Sequence, residues 1–581
     1  MQKSTQNKFY SLIITILLCS TTTISYAQQR TVPFTKGVNM TSWFELWSPG
    51  VGNLKRYDKS DLINLQSLGV DVIRLPIHFE NLSSGAPDYK VNEITWSYLD
   101  KVVDWCEELH MYLVIDNHSF NDSNAKYPSA KEVDNQLQKV WTQVAKRYRN
   151  RSKYILYEIL NEPRDLNKSK WNAIQANALK TIRRYDTMHT VVVTGANWGG
   201  VDSLDTVQVY DDANIIYSFH FYLPFEFTHQ GATWTGDVIS KLSGIPFPYD
   251  TTRMPAIPQA LKGTWYEKNF ESSYKAIGTV AYIREQIGKA SSFSKKNNVP
   301  VWCGEMGAYY KTALYDDRVR WYEAAAGALK EYNIPFTVWG YGGGFGLFKK
   351  DTSELYPYDL DSEILQKLGF SVPQGADTTE PQGARQLHVP YVLYDDMAAK
   401  ELQYISFWGS EHSGKQKPTV AWEKNTSEGQ YCIRWGNCSR YDAVNLNFNQ
   451  AVDLSNLITQ DANLCIDVRT EKRVEPFEVR FVDSESDNQK PWRIVFTVNK
   501  NAFPADGKWH TLVIPLTSMQ ETGAWVSKEN KWYAKENKFD WGRIKDFQIC
   551  AEQNALSEEI FFDNIRISAG KTENNSSVVD K

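Results

Sequence analysis

A chain of 581 residues is too long for one ordinary domain, and its 42% hydrophobic and 23% charged residues belong to a globular protein, not a disordered or fibrous one. A formal net charge of −5 argues against a nucleic-acid partner, which a basic surface would serve. Aromatic residues are abundant, with 20 Trp, 32 Tyr and 26 Phe, and such rings either fill cores or stack on the apolar faces of sugars.

Residues 1–27 read as a secretory signal peptide. Lys3 and Lys8 make a basic start, the apolar run 12–18 is too short to span a bilayer, and Ser25-Tyr26-Ala27 offers small residues for cleavage. Cys19 raises lipid anchoring as an alternative, but Leu18 precedes it where a small residue is wanted. No other segment is apolar enough for a membrane span, so the expected location is secreted: periplasmic, extracellular or at the cell surface. Cleavage leaves Cys106, Cys303, Cys432, Cys438, Cys465 and Cys550. Export permits disulfides, and Cys432 and Cys438 are close enough in sequence to pair across a turn. Cys106 and Cys303 read as buried thiols that pack as small apolar groups.

From 31 to 370, β-rich runs alternate with helical stretches. Strands are predicted at 37–40, 70–75, 112–116, 154–159, 191–194, 215–219, 299–303 and 336–339. Helices are predicted at 60–68, 97–109, 132–148, 172–185, 273–295 and 318–332, and a last one begins at 364–367. Eight strand–helix units fit a (β/α)8 TIM barrel with long loops. A doubly wound sheet competes, but no G-x-G-x-x-G follows a strand. The longest insertion, 220–272, is rich in Pro and carries Trp234 and Trp265; after a strand end it would arch over the top face.

Residues 371–383 are poor in apolar side chains and read as a linker. From 384 to 568 helical periodicity fades and short alternating strands appear, which predicts a β-sandwich or jelly roll. Residues 569–581 are a polar tail.

The chemistry concentrates at strand ends, where barrels of this type carry their active groups. Glu162 ends the fourth predicted strand and Glu305 the seventh, so the two face each other across the barrel mouth. Cutting a glycosidic bond needs such a pair: one acid to protonate the leaving oxygen, one carboxylate to attack carbon or activate water. Glu158 has no place in this pattern and reads as structural.

Arg74-Leu75-Pro76, His118, Asn161-Glu162-Pro163, His220-Phe221-Tyr222, Gly304-Glu305 and Trp339 follow one another at successive strand ends. In this order they resemble glycoside hydrolase family 5, the cellulase family of clan A. The resemblance covers residues 36–341 and implies hydrolysis of β-linked glycans with retention and no cofactor. It makes Glu162 the acid/base and Glu305 the nucleophile, held ionised by Arg74 and Tyr222. Asn161 would hold the sugar 2-hydroxyl, His118 and His220 would orient hydroxyls and the acid, and Trp339 would floor the −1 sugar. Ser119 stands where the family often has a second His. Trp43, in Trp43-Phe44-Glu45-Leu46-Trp47, either lines negative subsites or packs under a loop. Trp198 and Trp234 are candidate platforms for positive subsites.

Retention requires the two carboxyl groups to lie about 5–5.5 Å apart, and a gap beyond about 6.5 Å would mean inversion. The expected enzyme is a secreted, monomeric endo-β-1,4-glucanase acting on a β-linked polysaccharide. Competing substrates within the family are β-mannan, xyloglucan and the chain ends attacked by exo-β-glucanases. A non-catalytic glycan-binding barrel would have to lack a carboxylate, and both are present.

The C-terminal region resembles jelly-roll carbohydrate-binding modules of the galactose-binding-like type, through Phe562-Asp563-Asn564-Ile565 and Asp506-Gly507-Lys508-Trp509. Trp525 and Trp532, in a polar stretch, are expected to be exposed. The resemblance implies a structural calcium, with Asp563 and Asp395 or Asp396 as candidate ligands.

Overall fold

The β-rich runs of the first half close into a parallel barrel. Its strands are β1 (Lys36–Asn39), β2 (Val72–Ile77), β3 (Tyr112–Asn117), β4 (Ile155–Glu158), β5 (Thr190–Thr194), β6 (Ile215–Phe221), β7 (Val301–Met306) and β8 (Phe336–Trp339). Each pairs with the next, and β8 returns to β1. The computed structural model describes residues 31–45, 54–120, 126–378, 385–408, 419–422, 425–485 and 489–570. The expected signal peptide, Cys19, Trp47 and most of the expected polar tail lie outside these residues.

Period-two alternation divides each strand's apolar side chains. Ile73, Leu113, Ile155, Val191 and Ile215 face the helices and join the main core. Val72, Val114, Leu156, Val192, Ile216 and Trp302 form a separate cluster with Phe34 that plugs the barrel interior. Strand contact is close enough at Gly37 that a Cβ there would lie 1.8 Å from the Val72 carbonyl oxygen, so no side chain fits.

The surrounding helices are α1 (Lys59–Ser67), α2 (Glu93–Glu108), α3 (Ala130–Tyr148), α4 (Lys168–Tyr185), α5 (Phe225–Thr228), α6 (Trp265–Ile277), α7 (Val280–Asn297), α8 (Tyr315–Glu331) and α9 (Ser362–Leu368). The single helix predicted at 273–295 is two, α6 and α7. The amide of Gly278 closes α6 onto Tyr274, and the Thr279 hydroxyl caps α7 at Tyr282. The expected linker is bound to the barrel at its start. The Ser371 amide donates to the Leu68 carbonyl at 2.8 Å, and Asp377 accepts from Lys349 and Ser362.

The described residues between 385 and 568 form two facing, largely antiparallel sheets. One contains β10 (Tyr391–Tyr394), β12 (Thr419–Trp422), β13 (Cys432–Trp435), β15 (Asn463–Arg469), β18 (His510–Pro515) and β22 (Ile560–Ser568). The other contains β9 (Arg385–Gln386), β11 (Leu402–Trp408), β14 (Ala443–Asp453), β16 (Phe477–Asp483), β17 (Trp492–Val498), β19 (Gln520–Val526), β20 (Lys531–Ala534) and β21 (Ile544–Cys550). β9 joins β14 in parallel. Alternation is plain in β16, where Phe477, Val479 and Phe481 enter the core between the sheets while Glu478 and Arg480 pair on the outer face. The six cysteines of the described residues, Cys432 and Cys438 included, are buried and none is in a disulfide. Among the described residues no helix is long and apolar enough to cross a membrane.

Candidate active site

Arg74, in the middle of β2, is fully buried in a carboxylate ring. Its Nε and NH2 donate to Glu158 at 2.7 and 3.1 Å, its NH1 to Glu305 at 2.7 Å and to Asn39 at 2.9 Å, and its NH2 to Asn161 at 2.8 Å. Asp116 stands 3.0 Å from NH2. Burial alone would depress the guanidinium, but Asp116, Glu158 and Glu305 hold its pKa well above the usual value. Glu158, read from sequence as structural, is the fork-to-fork partner that orients this cation.

Glu305 lies in β7 and is held on both oxygens. Arg74 donates to Oε1, and the Tyr222 hydroxyl donates to Oε2 at 2.8 Å. Glu162 follows β4. Its Oε1 is 2.7 Å from Nδ1 of His220, and the same nitrogen is 3.4 Å from Oε2 of Glu305. One oxygen from each carboxylate and one ring nitrogen of His220 all lie within 4.8 Å of one another. The Glu162 side chain is 16% exposed and that of Glu305 5%, so the former is open to the cleft and the latter sits deeper.

Burial raises both carboxyls, and their surroundings then separate them. Glu162 is pushed up to about 8 by burial; Glu158 adds to this, and only Arg74 opposes it. For Glu305, burial also leads and the Glu162 charge adds to it, but His220, Arg74 and the Tyr222 hydrogen bond pull back toward the ionised form. Burial in turn lowers His220, which favours a neutral ring between the two.

His118, directly after β3, bonds Asp116 through Nδ1 at 2.6 Å and stacks on Trp339, with centroids 5.4 Å apart and planes at 14°. Burial next to Arg74 keeps the His118 pKa well below the usual value. Arg74, His118, Asn161, His220, Tyr222 and Trp339 are therefore brought together with the two glutamates. Four polar groups, Asp116 first among them, escaped the sequence reading. Asn39 braces Arg74 and donates to the Gly304 and Val338 carbonyls, both at 3.1 Å. Glu45 and His78 place one donor atom each within 4.8 Å of one on His118. Both follow strand ends, β1 and β2, and that position was the available signal. Ser119 turns into the wall, where its hydroxyl accepts from Gln136 at 2.9 Å.

Trp43 is not part of the cleft. It is fully buried, its Nε1 donates to the Leu54 carbonyl at 2.8 Å, and Phe44 and Tyr57 meet its ring edge-on. The apolar ring is satisfied by its own loop, so the subsite alternative falls. Trp198 is 42% exposed beside the carboxylates: its amide donates to the Pro163 carbonyl at 3.1 Å, and Arg164 lies 5.3 Å over its ring. Trp234, in the insertion after β6, is 44% exposed and stands edge-on to Tyr309. Phe345 then packs between Tyr309 and Tyr222, so one aromatic wall runs from Glu305 to the rim.

The expected calcium ligands do not make a calcium cage among the described residues. Asp563 is buried, and its oxygens accept backbone N–H bonds from Ser427, Glu428 and Asn564 at 2.8, 3.1 and 2.8 Å. Asp396 accepts from Gln430 and Tyr431, and Asp395 pairs with Lys55. Calcium takes six to eight oxygens, whereas N–H donors and an ammonium already face these carboxylates.

The family model for Cellulase (glycosyl hydrolase family 5) matches residues 29–344, and that for carbohydrate binding domain 30 matches residues 399–569. Endoglucanase C of Acetivibrio thermocellus is 28% identical over 339 residues, which are 56% of this chain and 95% of that protein. Endoglucanase 3 of Fibrobacter succinogenes is 31% identical over 340 residues, 54% of this chain and 50% of that one. Among solved structures, an endoglucanase of Thermotoga maritima is 25% identical with a TM-score of 0.47, and the match covers 57% of this chain and 96% of that one.

Proposed function

The chain belongs to the cellulase family, glycosyl hydrolase family 5, and from that premise we propose a retaining endo-β-1,4-glucanase with Glu162 as acid/base and Glu305 as nucleophile. The observation that carries it is the pair of carboxylates at the ends of β4 and β7, joined through His220 with oxygens inside 4.8 Å. Facing oxygens this close support double displacement over the inverting arrangement, whose carboxyls stand about 6.5–9.5 Å apart to admit a water. The endoglucanase relatives support the β-1,4-glucan backbone as substrate.

In the first step Glu162 gives its proton to the glycosidic oxygen while an oxygen of Glu305 bonds the anomeric carbon, and the C–O bond to the leaving sugar breaks. In the second, ionised Glu162 takes a proton from water, the water oxygen attacks the same carbon, and the bond to Glu305 breaks. Two inversions give retention. Arg74 and Tyr222 hold Glu305 in place and stabilise its ionised form between the steps. Asn161 is oriented by Arg74 for the 2-hydroxyl. Trp339, stacked on His118, floors the −1 sugar, and Trp198 with Trp234 carries sugars on the leaving-group side.

The C-terminal unit is a carbohydrate-binding domain of type 30. Its sugar platform is the face on which Trp525 and Trp532 sit opposite each other between β19 and β20. Gly523, at φ 144°, makes room for the Trp532 ring, since a Cβ there would lie 2.5 Å from it, and Arg493 covers that ring at 5.2 Å. The chain is exported and acts as a monomer in this reading, which rests for export on its basic and then apolar start.

The test is reducing-end release from carboxymethylcellulose, mixed-linkage β-glucan, xyloglucan, glucomannan and xylan, with Glu305→Gln alongside. Strongest turnover on β-1,4-glucan, abolished in the variant, is expected. Full activity in Glu305→Gln would sink the assignment.

A further inference from the structure

The β-sandwich is docked on the barrel, and the contact is built around one ammonium. Lys400 Nζ lies 3.0 Å from Asp58 and 2.7 Å from Asp61. These two acids are the capping box of α1: Asp58 accepts the Ser60 amide, and Asp61 accepts the Asp58 amide. Two like charges at the same helix end repel, and Lys400 sits on both. A second pair, Lys55 with Asp395, crosses beside it. The apolar part agrees, because Met397 and Tyr431, both from the sandwich unit, are buried in the barrel's core cluster and not in their own.

What this contact grips is the segment leading into α1. Leu54 is fully buried and anchors Trp43, while Tyr57 packs against Trp43 at 5.5 Å and Tyr341 at 5.7 Å. Arg56 reaches Glu354, which accepts the Gly343 amide. The Tyr341 amide donates to the Asn39 carbonyl at 2.8 Å, and Asn39 braces Arg74. The segment therefore ties the exits of β1 and β8 together next to Trp339, the β8 residue that pairs with Asn39.

We propose that the carbohydrate-binding unit is a fixed buttress of the cleft wall between β1 and β8, with Lys400 as a positioning residue for hydrolysis. Its grip on Asp58 and Asp61 sets the segment that backs the sugar floor. The sandwich thus contributes to the barrel's hold on substrates too short to reach its own sugar face. This rests on the glucanase reading above, and the two fail differently: an inactive native chain overturns that reading, whereas an active chain indifferent to Lys400 overturns this one.

The experiment uses the full chain with Lys400→Ala and Lys400→Arg, assayed on a soluble aryl β-cellobioside that engages the barrel alone. Lys400→Ala is expected to raise KM about ten-fold with kcat little changed, as loss of a positioned binding wall should. Lys400→Arg, which keeps the charge, should restore most of it, and salt should raise the native KM toward that of the Ala variant by screening the pair. Asp395→Asn, which breaks only the neighbouring pair, should give a smaller shift of the same kind and stands in if Lys400→Ala does not fold. A folded Lys400→Ala, or in its place a folded Asp395→Asn, with native KM on this substrate would overturn the proposal.

Discussion

Glu162 and Glu305 are both buried acids, and they differ in what each meets. Glu162, pushed up to about 8, keeps its proton through neutral pH. Turnover should therefore fall as pH rises through about 8, when the acid is lost. It should fall again on the acid side, above the ordinary carboxylate range, because burial raises Glu305 as well and protonation removes the nucleophile. A kcat/KM profile against pH reads both limbs. Glu162→Gln should lose the alkaline limb and keep measurable activity only on aryl glycosides, whose leaving group needs no proton. Stability follows the same sign. Glu162 is raised in the fold, so the native chain loses stability as pH climbs from the unfolded value of about 4.3 toward the folded one. The Gln variant does not, and its melting temperature should exceed the native one increasingly over that window. Arg74→Ala should abolish turnover and destabilise by about 3–5 kcal/mol, because it leaves Glu158, Asp116 and Glu305 as a buried, unpaired cluster; chemical denaturation measures it. Eight of the proposed site residues could be picked out at this scale because each lies in or just after a barrel strand beside a recognisable neighbour, as in Asn161-Glu162-Pro163. Asn39 and Asp116 were not, since what marks them is Arg74 on another strand.

Elements carried their signal unevenly. β8 was read residue for residue, and β2 and β7 were both begun two residues early, because a strand buried on both faces is an apolar run with no alternation to mark its ends. α6 and α7 merged in the reading, since Gly278 and Thr279 are tolerated inside a periodic stretch and become caps only when the chain bends. The β19–β20 hairpin shows the opposite case, where Trp525 and Trp532 stood out in polar surroundings and do share one face. Trp532→Ala should weaken retention on insoluble cellulose by about 1–3 kcal/mol in binding terms, the size of burying one large apolar side chain, while leaving aryl cellobioside hydrolysis unchanged. A pull-down isotherm beside the soluble assay separates the two. Trp234→Ala should do the reverse to long soluble glucans, lowering kcat/KM with chain length, as read from oligosaccharide product patterns.

At the level of the whole molecule, two units were visible in the change of periodicity near residue 384, but their docking was not. Lys400 and Asp61 are 339 positions apart, and nothing local in either stretch announces the other. A tether was expected, and residues 371–378 are instead strapped to the barrel. Shared core residues such as Met397 and Tyr431 predict that the full chain melts in one calorimetric transition at low salt and splits toward two when salt screens the Lys400 and Lys55 pairs.

The six reduced cysteines turn that expectation into a clock. Two, Cys106 and Cys303, are sealed in the barrel, and four, Cys432, Cys438, Cys465 and Cys550, in the sandwich, all buried. A thiol reagent can modify none of them until its own unit opens, so mass-resolved labelling over time reports the order in which the halves come apart. With no covalent crosslink among these six sulfurs, a reducing buffer should leave both the fold and the rate of opening as they are.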